Sequence, residues 1–191
     1  MTTRTAAYVF DRMLPLTEPF DSYKHSLRAI AVLPPGYGLC YAFHYAEADT
    51  GNGGFGQLHG NETWALVPTA ITACETAGAH DLARLFREVV RHFHDLGTCE
   101  LDERTCSAIR ASLPPAPKRS LAEMEREFFA AEGERYSVVQ RLVAIQDTAL
   151  WGEDEPTSVV PREPTPGQVW RREMIEQLKR EMTEYKKKPP E

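Results

Sequence analysis

A glycine-rich segment in the first half of the chain has the spacing of a phosphate-binding loop. Residues 51–56 read Gly-Asn-Gly-Gly-Phe-Gly, so Gly51, Gly53 and Gly56 satisfy the G-x-G-x-x-G pattern that cradles dinucleotide phosphates. That chemistry needs a buried strand before the glycines and a long helix after them. Here Ala-Glu-Ala-Asp comes shortly before the glycines, and Gly60-Asn61 follows them almost at once. We therefore expect no nucleotide site and no cofactor at this segment.

The same segment is suited to a tight turn between two helices. Glycine adopts positive φ at no steric cost, and such a turn would direct the aromatic ring of the segment into the core. Neighbouring polar side chains would then satisfy exposed backbone groups. The expected structural turn consists of Asn52, Gly53, Gly54, Phe55, Gln57 and Asn61.

A second group of residues has the chemistry of zinc ligands. His92, His94, Cys99 and Cys106 lie close together in the sequence. Residues two apart on a helix point about 200° away from each other, so the two histidines cannot share one ion on a regular helix. No C-x-x-C knuckle accompanies them. We expect surface histidines and reduced thiols here, and no metal site.

Acid–base chemistry is the third candidate, because His44, Asp49, His59 and Glu62 flank the glycine segment. The sequence contains no G-x-S-x-G elbow, no P-loop and no H-E-x-x-H motif. We expect no catalytic residue and a binding protein rather than an enzyme. A small hydrolase centred on the glycine turn is an alternative.

Acidic side chains are concentrated in the middle of the chain. The net charge of the whole chain is −6, but residues 41–155 contain 19 acidic and 10 basic side chains, a balance of −9. Such a segment repels phosphate backbones and favours a basic protein partner over direct nucleic-acid binding. Carboxylates on rigid helices can also imitate the phosphates of a duplex, although a charged run is commonly a solvated helix face. The candidate partner-binding face consists of Glu123, Glu127, Glu132, Glu134 and Asp147.

The elements that would position these residues are predicted to be helices. Apolar residues at helical spacing predict a helix over residues 81–96, and Ser120 with Glu123 forms a capping box at the start of another, which Gly133 is expected to end. Further helices are predicted after residues 21–22, over 37–48, from about 68 to 78, and over 136–151. Pro34-Pro35-Gly36 is expected to end the first of these. Since no long stretch alternates between polar and apolar residues, the fold class is all-α.

The domain organisation follows from proline spacing. Residues 1–155 are predicted to form a compact multi-helix domain, 156–166 a proline-rich linker and 167–188 a C-terminal amphipathic helix. Trp170, Met174, Leu178 and Met182 lie along one side of this helix, which we expect to fold back on its own domain, dock on a second copy or bind a different protein. A homodimer is thus one of the open outcomes.

The sequence shows no targeting signal, which predicts a cytoplasmic location. The first residues lack the apolar region of a signal peptide, and no stretch approaches the roughly 20 apolar residues of a membrane span. We expect a cytoplasmic protein with no membrane partner.

Several segments together carry a family resemblance. They are Asn52-Gly53-Gly54-Phe55-x-Gln57, then Asn61, then the predicted helix pair over 70–78 and 79–93, and the segment 124–129. Over about residues 41–151 the sequence resembles the bacterial DNA mimic protein nineteen-like family. The resemblance implies a helical fold. The best-known member of that family is an acidic dimer that mimics DNA and sequesters a transcription regulator.

The resemblance also implies a function. It predicts an acidic binding or inhibitor protein that engages a basic, DNA-binding protein by DNA mimicry and so affects transcription regulation. The alternative among binding roles is an immunity or antitoxin-like inhibitor of a basic nuclease, which would use the same acidic surface.

Overall fold

A computed structural model of the chain describes residues 4–17, 23–115, 117 and 119–152. The chain divides into two units, Met1–Thr157 and Ser158–Glu191. The second unit, with Trp170, Met174, Leu178 and Met182 of the predicted C-terminal helix, lies outside the described residues, as does the predicted linker.

The described residues form nine α-helices and one 3₁₀ segment, with no strand among them, which confirms the all-α prediction. In chain order they are α1 (Ala6–Thr17), α2 (Tyr23–Ile30), α3 (Pro35–Gly60), the 3₁₀ segment (Glu62–Leu66), α4 (Val67–Thr76), α5 (His80–Asp95), α6 (Glu103–Ala111), α7 (Leu121–Ala130), α8 (Glu132–Ala144) and α9 (Thr148–Trp151). Within the same residues, no helix combines the length and the apolar character needed to cross a lipid bilayer.

Helix α3 is the element on which most of the others pack. It contacts α1, α2, α4, α7, α8, α9 and the 3₁₀ segment. Its side chains Tyr37, Cys40, Phe43, Phe55 and Leu58 are at most 2% exposed. Burying a large apolar side chain contributes about 1.5–3 kcal/mol, so α3 supplies much of the stability of the core.

The Pro34-Pro35-Gly36 triplet begins a helix, whereas the sequence predicted only that it ends one. Helix α2 stops at Ile30, and Pro35 occupies the first turn of α3, where a missing N–H costs little. Gly36 is needed for packing, because a Cβ atom there would lie 2.8 Å from the ring of Trp151. The guanidinium of Arg4 covers the same ring, 4.4 Å from its centroid.

Two predicted helix boundaries near α8 are wrong. Gly133 ends no helix, because α7 already stops at Ala130 and Gly133 is the second residue of α8. The predicted helix over 136–151 is interrupted: α8 ends at Ala144, Ile145 is extended, and α9 begins after Asp147. Apolar residues keep their helical spacing through this break. The periodicity of the sequence therefore does not indicate that the helix is interrupted.

Candidate functional site

The glycine turn is a packed junction between α3 and α7. The helical path of α3 is interrupted at Gly53 and Gly54, and Gly54 has φ 75° and ψ −174°. The backbone N–H of Phe55 donates to Oε1 of Glu125, at 2.9 Å. A Cβ atom on Gly54 would clash with that same carboxylate. The turn is therefore closed by a side chain 70 positions away, a role for Glu125 that no local pattern indicates.

Phe55 anchors this turn in the core. It is fully buried, and its ring meets the rings of Phe128 and Phe86 edge-on, with centroids 5.3 and 6.0 Å apart. Edge-to-face aromatic pairs add about 0.5–1.5 kcal/mol beyond the burial of area. The turn thus links α3, α5 and α7.

Two polar side chains of the turn, Gln57 and Asn61, donate hydrogen bonds to the carboxylate of Asp49. The sequence predicted instead that they would bond to exposed backbone groups. Asp49 accepts hydrogen bonds from Asn61 Nδ2 at 3.1 Å, from Gln57 Nε2 at 3.5 Å, and from the hydroxyl of Thr63. Asn52 is exposed. Asp49 therefore joins the end of α3 to the 3₁₀ segment.

The two histidines among the other acid–base candidates have partners of their own. His59 Nε2 lies 2.8 Å from the carbonyl oxygen of Thr98, and its ring stacks on Phe93 with centroids 3.9 Å apart. His44 packs edge-on against Phe10, with centroids 4.8 Å apart. Glu62 is exposed. The ring contacts of both histidines are packing contacts, and His59 also makes a hydrogen bond to the backbone.

The zinc-ligand candidates are divided between two places. His94 Nε2 lies 3.3 Å from Glu103 Oε2, and the ring of His92 packs edge-on against Phe93. The two cysteines come together, with the Sγ atoms of Cys99 and Cys106 3.1 Å apart. In the described part of the chain, no group of three or more His, Cys, Asp or Glu side chains is placed to hold a metal ion.

The predicted acidic face of α7 to α9 contains carboxylates with different surroundings. Glu123 accepts from the backbone N–H of Ser120 at 2.8 Å, which completes the predicted capping box. Asp147 caps α9 by accepting from the N–H of Ala149 at 2.8 Å. Glu132 and Glu134 lie in the first turn of α8, where Glu132 is exposed and Glu134 is half-buried. Neither carboxylate forms an ion pair with another described residue. Glu132 and Glu134 are thus the predicted carboxylates most open to a partner.

Glu127 belongs to a closed ring of four charges. Arg84 contacts Glu127 at 2.6 Å and Glu88 at 2.9 Å, and Arg119 contacts the same two carboxylates at 2.6 and 2.8 Å. The side chain of Glu88 is only 7% exposed. Burial alone would raise the pKa of Glu127, but hydrogen bonds from Arg119 and Arg84 lower it. This ring joins α5 to α7 and adds no net negative charge to the surface.

A different set of carboxylates surrounds a cavity of about 560 Å³ between the 3₁₀ segment, the start of α4 and residues 100–105. Glu62, Glu100 and Asp102 line it together with apolar surface from Leu101 and Pro68, and no Lys, Arg or His is among its lining residues. We call this cavity with its three carboxylates the acidic cleft. Like charges around a concave surface focus a negative potential.

The three carboxylates of the acidic cleft are open to solvent. Glu62, Glu100 and Asp102 are all exposed, and the ion pairs found in the described ranges involve none of them. Hydrogen bonds from the hydroxyl and the N–H of Thr105 lower the pKa of Asp102. Sequence reasoning missed this cleft, because helices α4 and α5 separate Glu62 from Glu100 and only their folding brings the two together.

A family model described as DMP19-like protein matches residues 31–146, which is more than half of the chain. No curated protein and no solved structure matches. The matched range contains the glycine turn, the ring of four charges and the acidic cleft.

Proposed function

We propose, since the chain belongs to the DMP19-like protein family, that it binds a basic, DNA-binding protein partner in the manner of a DNA mimic. Mimicry requires negative charges held on a rigid surface, where a DNA-binding protein would otherwise meet phosphates. The family membership and the −9 balance of residues 41–155 support this function.

The acidic cleft is the observation that carries the proposal. It offers three carboxylates around a volume of about 560 Å³, with no positive side chain among the lining residues to offset them. Lysine and arginine bury apolar stems while their charged ends form hydrogen bonds to carboxylates. Leu101 and Pro68, both half-buried, supply apolar surface for such stems beside Glu62 and Glu100. The cleft therefore fits basic side chains of a protein partner.

The contacts of the carboxylates around the glycine turn also support binding rather than catalysis. The carboxylates of Asp49 and Glu125 are engaged in holding the glycine turn, and the turn is closed by packing at Gly54. We therefore place the function at the acidic cleft, and we propose no hydrolytic role for the turn.

The test is capture of the partner with competition by DNA. The full chain is immobilised, exposed to a lysate of its own cells, and the retained proteins are identified by mass spectrometry. We expect a basic DNA-binding protein that added duplex DNA displaces and that rising salt releases, because exposed charge pairs are screened. A ternary complex of DNA, partner and this chain would contradict mimicry. A retained nuclease that loses its activity would instead support the immunity role.

Two double variants that remove the same amount of charge test where the partner binds. The double variant Glu62→Gln with Glu100→Gln should reduce retention of the partner, whereas Glu132→Gln with Glu134→Gln removes the same charge from α8 and should leave it unchanged. If only the α8 pair matters, the partner binds the predicted acidic face and the cleft proposal is wrong. Circular dichroism confirms that each variant is folded.

A further inference from the structure

Two cysteines beside the acidic cleft are placed for covalent chemistry. Cys106 lies in the first half of α6, Cys99 lies in the segment that precedes this helix, and their Sγ atoms are 3.1 Å apart. A disulfide bond is about 2.05 Å long, so the two sulfurs need to approach by only about 1 Å. Both cysteines are in the free thiol form in this structure.

The two sulfurs differ in their access to solvent. Cys99 is half-buried, whereas Cys106 is 1% exposed and its thiol also lies 3.8 Å from the carbonyl oxygen of Leu101. Burial raises the pKa of the Cys106 thiol, which keeps it protonated. A dissolved oxidant therefore meets Cys99 first, with Cys106 directly behind it.

The remaining cysteines have a different environment. Cys40 and Cys74 are both fully buried, and burial raises the pKa of each thiol. Because oxidation requires a thiolate that the oxidant can reach, these two cysteines are internal controls within the same chain.

We propose that Cys99 and Cys106 form a redox modification site, which a hydroperoxide such as hydrogen peroxide converts into an intramolecular disulfide. The Cys99 thiolate attacks one peroxide oxygen, the O–O bond breaks, and the departing hydroxide takes the proton that Cys99 lost and becomes water. Cys99 is then a sulfenic acid. The Cys106 sulfur attacks it, the S–O bond breaks, and the hydroxyl leaves as water with the proton of Cys106. Two thiols thus lose two electrons, and one peroxide becomes two waters.

The disulfide would constrain one wall of the acidic cleft. It closes a ring over residues 99–106, which contains Glu100, Leu101, Asp102 and Thr105 of the cleft lining. A cross-link reduces the conformations that such a segment can adopt. An effect of oxidation on partner binding rests on the proposed function, but formation of the disulfide does not.

The test is a thiol count on the folded, full-length protein. The reduced chain is treated with hydrogen peroxide, its free thiols are alkylated under denaturing conditions, and the digest is examined by mass spectrometry. We expect two of the four cysteines to escape alkylation, in one linked peptide pair containing Cys99 and Cys106, and dithiothreitol to restore them. Alkylation of all four after peroxide treatment would overturn the proposal, as would equal oxidation of Cys40 and Cys74.

Two serine variants test the order of events. Cys106→Ser should retain a sulfenic acid on Cys99, which dimedone traps, whereas Cys99→Ser should show no trapped product at Cys106. Trapping at Cys106 but not at Cys99 would contradict the assigned roles. These readouts are covalent and need no partner, so a failed partner capture and a failed disulfide test are independent results.

Hydrogen exchange tests the structural consequence. Amides of residues 100–105 should exchange more slowly after oxidation of the parent protein, and at an unchanged rate after the same treatment of Cys99→Ser. Equal exchange in the oxidised and reduced parent, once the disulfide is verified, would show that the cleft wall is not constrained.

Discussion

At the level of single residues, the glycine turn depends on the backbone of Gly54. Its φ of 75° is strained for other residues, and a Cβ atom would displace Glu125 from the N–H of Phe55. The strain costs about 1–3 kcal/mol and the lost hydrogen bond about 1–3 kcal/mol. We expect Gly54→Ala to lower the free energy of unfolding by about 2–6 kcal/mol in urea titrations.

Gly56→Ala is the matched control for that substitution. Gly56 is helical, and no atom lies within 4 Å of the position its Cβ would occupy. Alanine is favoured over glycine in a helix by about 0.5–1 kcal/mol, so this variant should be as stable as the parent or slightly more stable. Equal losses in the two variants would show that the turn does not require a positive φ at Gly54.

The aromatic anchor of the turn gives a second prediction. Phe55→Ala should reduce the free energy of unfolding by about 3–5 kcal/mol, as expected when a buried aromatic ring is truncated. Phe129→Ala, whose ring is 47% exposed, should lose about 1 kcal/mol or less. Thermal melts of both variants check this. A Phe55→Ala protein that melts like the parent would require the turn to be reconsidered as a ligand site.

At the level of helices, the ring of Arg84, Glu88, Arg119 and Glu127 couples α5 and α7 in a pH-dependent way. The pKa of Glu127 lies below its ordinary value of 4.5 in the folded state. Its contribution to stability is therefore fully present above about pH 4.5 and is lost as the pH falls through the folded pKa. Glu127→Gln should be less stable than the parent at neutral pH, with a difference that shrinks under acid conditions.

Urea unfolding at several pH values between about 7 and 3 measures that difference. Glu132→Gln is the control, because Glu132 is exposed in the first turn of α8 and has no ion pair among the described residues. A stability difference for Glu127→Gln that does not change with pH would mean that the lowered pKa is not coupled to folding.

Local patterns predicted some helices and not others, for identifiable reasons. Helix α5 and the capping box of α7 were predicted because their signals lie within one helix. Helix α6 buries only Cys106 and so has no apolar stripe, although Asp102 is a recognisable N-cap that accepts from Thr105. Helix α1 contains Pro15, which interrupts a helical reading of the sequence. These two helices are held by packing that the sequence alone does not reveal.

The candidate site was less accessible to prediction than the fold. The acidic run was visible in the sequence, but pairing of Glu127 with Arg84 and Arg119 depends on how α5 and α7 meet. Glu62 and Glu100 come to one cleft only through the α4 and α5 pair. The composition therefore predicted that this part of the chain is negatively charged. Tertiary contacts determine which of its carboxylates pair with arginine and which face the cleft.

At the level of the whole molecule, we expect the chain to fold without residues 156–191. The described core is contained in residues 4–152, and it includes helix α3, on which most of the other helices pack. A protein of residues 1–155 should retain its helical circular dichroism and a cooperative melt. Non-cooperative melting would show that the removed residues contribute to the core, and an unchanged number of subunits in solution would exclude a dimer formed through them.

A slightly shorter protein is the control for this truncation. Ending the chain at residue 150 also removes Trp151, which is 1% exposed. Loss of a large buried aromatic side chain costs about 3–5 kcal/mol, so this protein should melt well below the longer one. Equal melting temperatures would mean that Trp151 is not part of the stabilising core.

The position of Trp151 against Gly36 also has a consequence for biosynthesis. The two residues lie more than 100 positions apart, and Trp151 packs edge-on against Tyr37 as well. At about 5–20 residues per second, a ribosome needs on the order of ten seconds to travel from one to the other. During that interval Trp151 is not yet present to pack on the start of α3. A nascent chain therefore exposes apolar surface there to chaperones and proteases. A chain arrested before residue 151 would keep that surface open and would be recognisable to quality control as incomplete.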